Sequence, residues 1–295
     1  MRLSEIEVIS PRNVEETLSI LHERSGRIRP IAGSTDAIIQ LKEGSLQTNE
    51  LLDISRLREL RYIHKEDSLI YVGALSTYSD IIESSVLNSS CRMLVDACRT
   101  IGSLQIQNRA TVGGNLGNAS PAGDSIPPLY VLDGKVKIQS HERSRLVPIE
   151  KFFLGYRKID LMPDELITEI SFEAVEKPCD GIFLKLSPRE GHCISLVSLA
   201  VYVRWAPAGD RFSDARVALG AVAPVVLRAR RCEEYIKNRT LADEIVWNAG
   251  KIASEESSPI SDLRASAEYR RAVIPSLLYK AVHMLIASRR RMEKP

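Results

Sequence analysis

Polar and apolar residues alternate over residues 2–9, the period of a half-buried strand, and Pro11 ends the run. Asn13 then stands where a helix cap is needed, with Glu16 three residues on. Val14, Leu18 and Leu21 follow at helical spacing on one face, and Gly26 suits the C-terminal cap. The apolar run 28–32 predicts a second, buried strand, 37–42 a short helix, and 51–54 a third strand. Residues 1–55 thus read as a βαβ-like unit.

A second unit follows. Its pattern predicts a strand over 69–74, helices over 79–84 and 91–100, and a hairpin of strands 136–139 and 145–149 around Ser140 to Ser144. Between them, 101–128 has little regular periodicity and reads as a loop. The character changes near Pro178. Residues 196–205 and 213–222 are β-rich runs joined by a turn-forming cluster at 206–210. After Arg228 the pattern is helical to the end, with Pro259 and Pro275 as punctuation. Sheet first and helices after is an α+β order.

Composition narrows the function more than the fold. A chain of 295 residues suggests two domains, or one with a large appendage, and 44% hydrophobic with 26% charged residues can build a core. Lys plus Arg total 40 against 38 acidic residues, a balance that argues against nucleic-acid binding, which needs a concentrated basic face. No stretch approaches the roughly 20 apolar residues that span a bilayer. The first residues lack an apolar signal core, so a cytoplasmic protein without a membrane span is expected. Five cysteines occur with no CxxC pair, and the five histidines are scattered, so no local ligand set for zinc or an iron–sulfur cluster exists and no metal site is expected. Cys91 and Cys98, seven apart, read as buried core thiols, and Arg289-Arg290-Arg291 as a solvated helix end.

Two glycine-containing segments carry the candidate chemistry. The first is Pro30-Ile31-Ala32-Gly33-Ser34-Thr35-Asp36-Ala37, the second Thr111-Val112-Gly113-Gly114-Asn115 within 108–118. A diphosphate is best met by several inward-pointing backbone N–H groups. Glycine lets the backbone come close, and Ser or Thr hydroxyls add donors. Two such turns would clamp one diphosphate from both sides. The alternatives are a plain helix cap at Gly33-Ser34-Thr35-Asp36 and a tight turn at Gly113-Gly114. Neither segment is the G-x-G-x-x-G fingerprint or the P-loop sequence, so a Rossmann or Walker site is not supported.

These two segments together resemble the paired flavin motifs of the FAD subunits of molybdenum hydroxylases, the family of xanthine, carbon monoxide and nicotinate dehydrogenases. The likeness continues through Asn118 to Asp124, Phe153 to Lys158, Asp164 to Ile170, Phe183 to Leu186, Ala218 to Pro224 and Ser261 to Arg271, so it spans the chain in order. The resemblance implies an α+β fold of the vanillyl-alcohol-oxidase (PCMH) type: FAD-binding subdomains at 1–55 and 56–175, then a C-terminal α+β domain of antiparallel sheet and helices at 176–295. It implies that Pro30 to Ala37 and Thr111 to Asn115 hold the FAD diphosphate, that Asp124 lies near the flavin, and that Ile101, Ile167 and Lys185 touch the cofactor. Taken alone, Lys185 also reads as a surface lysine on a strand, Asp124 as a cap before Pro127, and Ile101 and Ile167 as core. Ser34 stands where a second glycine is common, Gly117 where cysteine is common, and Cys193 where an aspartate is common.

No nucleophile–base constellation is evident in the sequence, so no catalytic residue is assigned. The division of labour that the resemblance implies fits this. A large molybdopterin-binding subunit oxidises substrate, a small two-[2Fe-2S] subunit relays electrons, and FAD on this chain passes them to an acceptor such as NAD, a quinone or oxygen. Two rivals stay open: a stand-alone FAD-dependent reductase or oxidase of the same fold, and a non-catalytic nucleotide-binding module. The reducing substrate is open among purines, other N-heterocycles, aldehydes and carbon monoxide.

Overall fold

The structure is a computed structural model that describes residues 6–189, 191–208 and 210–292. Its described residues form two units. The first takes in the described residues of 6–86, 102–119 and 133–173; the second takes in those of 87–101, 120–132 and 174–292.

The first unit opens with β1 (Glu7–Ile9), α1 (Val14–Glu23), β2 (Ile28–Ile31), α2 (Ala37–Glu43) and β3 (Glu50–Asp53), and the strands form a parallel sheet in the order β1–β3–β2. Of the strand expected over 2–9, residues 2–5 lie outside the described residues. Asn13 caps α1 as expected, its Oδ1 accepting from the Glu16 N–H at 2.8 Å. The Glu16 carboxylate reaches back to the Arg12 N–H at 2.7 Å, one residue before the usual capping-box partner. The C-cap is Arg24 rather than Gly26. Arg24 returns its N–H to the Ile20 carbonyl, and Gly26 takes the left-handed position (φ 74°) of the turn into β2. Leu18 and Leu21 of α1 bury against Ile28, Leu52 and Ile54.

The same unit carries a five-stranded antiparallel sheet. It contains β4 (Ile63–Glu66), β5 (Leu69–Gly73), β6 (Lys135–Gln139) and β7 (Ser144–Pro148). A small hairpin of β8 (Phe153–Gly155) and β9 (Lys158–Ile159) precedes the central strand β10 (Leu166–Glu173), and the sheet order is β4–β5–β10–β6–β7. The β6–β7 hairpin is the predicted one. β10 is buried at every position but its last, so no alternation marks it. The segment read as a loop over 101–128 instead holds three short helices, Leu104–Gln107, Val112–Asn118 and Ile126–Val131. The first two are capped by the Ser103 and Thr111 side chains. At four to seven residues, they are too short to show an apolar stripe.

In the second unit, β11 (Cys179–Leu186), β12 (Val197–Trp205), β13 (Phe212–Gly220) and β14 (Leu227–Arg228) form an antiparallel sheet in sequence order. One large apolar cluster joins β12 and β13 to the helices Arg230–Ile236, Asp243–Glu256 and Ala267–Met292. Pro275 does not interrupt the last of these. It lies inside the helix, and Gly250 of the neighbouring helix packs on it so closely that a Cβ there would stand 2.5 Å from the Pro275 Cα. Cys91 and Cys98 are buried, and burial pushes the Cys91 thiol up to about 12, as expected of inert core thiols. Among the described residues, no helix is long and apolar enough to cross a membrane.

Candidate functional site

The two glycine segments meet in the first unit, where Gly33 lies against Arg109. A Cβ built on Gly33 would fall 1.8 Å from the Arg109 carbonyl oxygen and 3.0 Å from the Ala110 nitrogen, so only glycine lets the two backbones touch. The helices that leave the segments also meet: the Gln40 amide of α2 donates to the Asn118 Oδ1 of the Val112–Asn118 helix at 2.9 Å. Pro30 and Ile31 end β2, Ala32 to Asp36 form the turn, and Ala37 starts α2.

The turn has the conformation a ligand-facing loop needs. Ser34 sits at φ 61°, the left-handed region that favours glycine. Its hydroxyl bonds the Ala32 carbonyl at 3.2 Å. Asp36 occupies the N-cap position of α2 but makes no side-chain capping bond, so the plain-cap alternative does not describe it. Among the described residues, the N–H groups of Gly33, Ser34, Thr35 and Asp36 donate to no protein acceptor. Four consecutive uncommitted amides on a half-buried turn are the donor set that an anion requires. Burial pushes the Asp36 carboxyl up, partly offset by Arg157.

The second segment differs from expectation. Its amides are already committed: Val112 donates to the Ser76 carbonyl at 3.1 Å, Gly113 to the Ala74 carbonyl at 2.9 Å, and Asn115 to the Thr111 carbonyl at 3.0 Å. Gly114 donates to the Thr111 hydroxyl at 3.1 Å. Gly113 is glycine because a Cβ would come within 2.7 Å of the Ala74 Cβ and 2.8 Å of its carbonyl oxygen. The segment is therefore a braced wall against which the first turn rests, with the Thr111 hydroxyl hydrogen left to donate. Ile167, on β10, lies beneath the same helix: a Cβ on Gly117 would meet its Cδ1 at 4.0 Å.

The remaining predicted residues belong to the second unit. Lys185 is no surface lysine. Its side chain is 8% exposed, and its Nζ donates to Asp124 Oδ2 at 2.7 Å and to the Thr100 carbonyl at 2.9 Å, next to Ile101. Asp124 caps no turn; its other oxygen, Oδ1, accepts from the buried Ser195 hydroxyl. Burial drives the Asp124 carboxyl up, and Lys185 and Ser195 pull it back only in part. A folded-state pKa above the unfolded one means that the ionised carboxylate costs stability, and that the cost appears as pH rises through the raised value. Such a pair is an expensive way to fill a core, which points to a use other than stability. Ser195 and Thr100 were not legible as site residues: neither carries a motif, and their partners are 71 and 85 residues away.

Two residues of the motif stretches, Glu165 and Arg270, prove to be framework. Glu165 is buried and takes Arg145 on both oxygens at 2.9 and 2.7 Å, while Arg145 also binds Asp160. Arg270 is buried, donates to the Leu196 and Ala221 carbonyls, and holds Asp262 at 2.9 Å, which pins three turns together.

Comparison with known proteins agrees in both halves. Residues 4–172 match the model of the FAD binding domain in molybdopterin dehydrogenase, and residues 182–285 that of the CO dehydrogenase flavoprotein C-terminal domain. The chain is 32% identical to the glyceraldehyde dehydrogenase medium chain of Sulfolobus acidocaldarius, over 94% of this chain and 97% of that one. It is 31% identical to the xanthine dehydrogenase FAD-binding subunit of Escherichia coli O157:H7, over 88% of each. Among solved structures, a carbon monoxide dehydrogenase of Hydrogenophaga pseudoflava superposes with a TM-score of 0.91 at 27% identity, covering 96% of this chain and 98% of that one.

Proposed function

The chain belongs to the molybdenum hydroxylase family as an FAD-binding oxidoreductase subunit with the vanillyl-alcohol-oxidase type of fold, and from that premise we propose that the Gly33–Asp36 turn, resting on the Thr111 segment, is where its FAD diphosphate binds. The observation that carries this is the run of four uncommitted amides held in backbone contact with Arg109 and Ala110. The remaining assignments follow the same reading. Pro30 to Ala37 and Thr111 to Asn115 line the diphosphate, and Ile167 supplies apolar wall. Ile101, Asp124 and Lys185 face the rest of the cofactor. The three-part division at residues 55 and 175 belongs to the same proposal.

When bound, FAD supplies the capacity to take up electrons singly and to deliver them to an external acceptor. The chain's own residues bind and orient it. The turn amides meet the diphosphate charge, and Lys185 offers a buried positive donor. Substrate oxidation belongs to a large molybdopterin subunit, and a small [2Fe-2S] subunit feeds the flavin, with NAD, a quinone or oxygen as the final acceptor. The subunit names of the relatives, "medium chain" and "FAD-binding subunit", support a heteromeric assembly.

Purified chain tests the first step. A yellow preparation with about one FAD per chain is expected, and colourless protein that ignores added FAD overturns the reading. Tagged protein purified from its native cells should bring a molybdenum subunit and an iron–sulfur subunit with it. A solitary chain that turns over NADH unaided would place it instead with independent flavin reductases.

A further inference from the structure

A lysine ammonium has three N–H donors. Two of those on Lys185 are spent, on Asp124 Oδ2 and the Thr100 carbonyl, and with two fixed the third has its direction set. Asp124 is fixed in turn because its Oδ1 accepts from Ser195, a residue with no exposed surface that directly precedes the Leu196 turn into β12. Lys185, Asp124, Thr100 and Ser195 all lie in the second unit.

We infer that Ser195 is a positioning residue for the flavin: it holds the Asp124 carboxylate turned to Lys185, and so aims the remaining Lys185 N–H at an acceptor on the cofactor. The inference rests on the FAD reading above and adds to it a residue whose hydroxyl donates to Asp124. The groups that face Asp124 are Cys98 from the Arg92–Arg99 helix, Lys185 from β11, and Ser195 and Ser198 on the β12 side. Burial raises this carboxyl, and the Ser195 hydroxyl is one of the groups that lower it. Removing the hydroxyl therefore moves its titration to higher pH, and the aim of Lys185 is lost with the carboxylate's charge.

The test uses the full chain, stripped of flavin and titrated with FAD by fluorescence quenching across pH 5.5 to 8.5. Ser195→Ala should bind FAD about tenfold more weakly at neutral pH, the size of effect expected for one hydrogen bond to a buried charge. Its loss of affinity on acidification should begin at higher pH than in wild type. Ser195→Thr, which keeps the hydroxyl, should restore both. An affinity and pH profile equal to wild type in Ser195→Ala overturns the inference. So does a weakening that is the same at every pH, the mark of a packing role. If the alanine variant does not fold by circular dichroism, Ser195→Cys serves. Its thiol is a weaker donor of similar shape, and it must show the same shift in smaller measure or the inference fails. Wild-type protein that takes up no FAD would instead sink the underlying reading.

Discussion

Replacing Gly33 with alanine tests whether the contact between the two segments matters for cofactor binding. The added methyl would stand 1.8 Å from the Arg109 carbonyl oxygen. An ordinary carbon–oxygen contact is about 3.3 Å, so the two backbones must part by about 1.5 Å. Overpacking of this kind costs about 1–3 kcal/mol of folding stability. Binding is more sensitive, because hydrogen-bond geometry tolerates roughly 0.5 Å. A displacement three times that size removes at least one amide-to-phosphate bond, worth about 1.5–3 kcal/mol when the acceptor is charged. The expected result is FAD affinity weaker by roughly 10- to 150-fold, read by titrating flavin-free protein, together with a lowered apoprotein Tm. Gly155→Ala is the control, since nothing lies within 4 Å of a Cβ there and its φ is ordinary. A Gly33→Ala protein that binds FAD as tightly as wild type would refute the argument, whatever happens to its Tm.

Other substitutions separate strain, charge and packing. Ser34→Gly removes a left-handed non-glycine residue but adds backbone freedom to the unfolded chain, terms of about 1 kcal/mol each and of opposite sign, so urea midpoints should match wild type and FAD content should be retained. Lys185→Met leaves Asp124 buried without its cation, a loss of about 3–5 kcal/mol where the carboxylate is ionised. Because that carboxyl is already raised, the loss measured by urea unfolding should be smaller at pH 5 than at pH 8. Glu165→Gln removes a carboxylate whose pKa is lowered by Arg145 although burial opposes this. The stability it contributes is present above the ordinary carboxylate range and lost as pH falls through the lowered value, so wild type and variant should converge in acid. Gly250→Ala presses a methyl onto Pro275 and should lower Tm at a cost of about 1–3 kcal/mol, without changing FAD affinity.

The elements that could be read from the sequence are those with a period and a stop signal. α1 has Asn13, Leu18 and Leu21; the 135–148 hairpin has alternation in β6 before a polar turn; β12 and β13 are long, mostly buried runs around a turn. What escaped lacked one or the other. β10 is buried on both faces and has no alternation, and β4 is a short polar edge strand. The capped helices of 104–118 are too brief for a stripe, and Pro275 lies inside a helix that the sequence would have ended there, with Gly250 packed closely on it. The site divides the same way. Gly33 and Gly113 were legible as residues the backbone needs. What they serve was not, because Gly33 answers to Arg109 and Gly113 to Ala74, partners that composition does not reveal. The committed amides of 112–115 and the link from Ser195 to Asp124 are likewise facts of pairing across the chain.

The interleaved chain path has a consequence for anyone who would cut the gene. Helices Arg92–Arg99 and Ile126–Val131 belong with β11, β12 and β13, which are synthesised at least 48 residues later. A fragment ending near residue 173 would leave those helices with their apolar faces in water, and a fragment beginning there would carry a sheet stripped of its cover. Neither piece should stay in solution alone, whereas the two expressed together should reassemble. During translation the early helices must wait for the last third of the message, a period in which a holdase chaperone has something to grip.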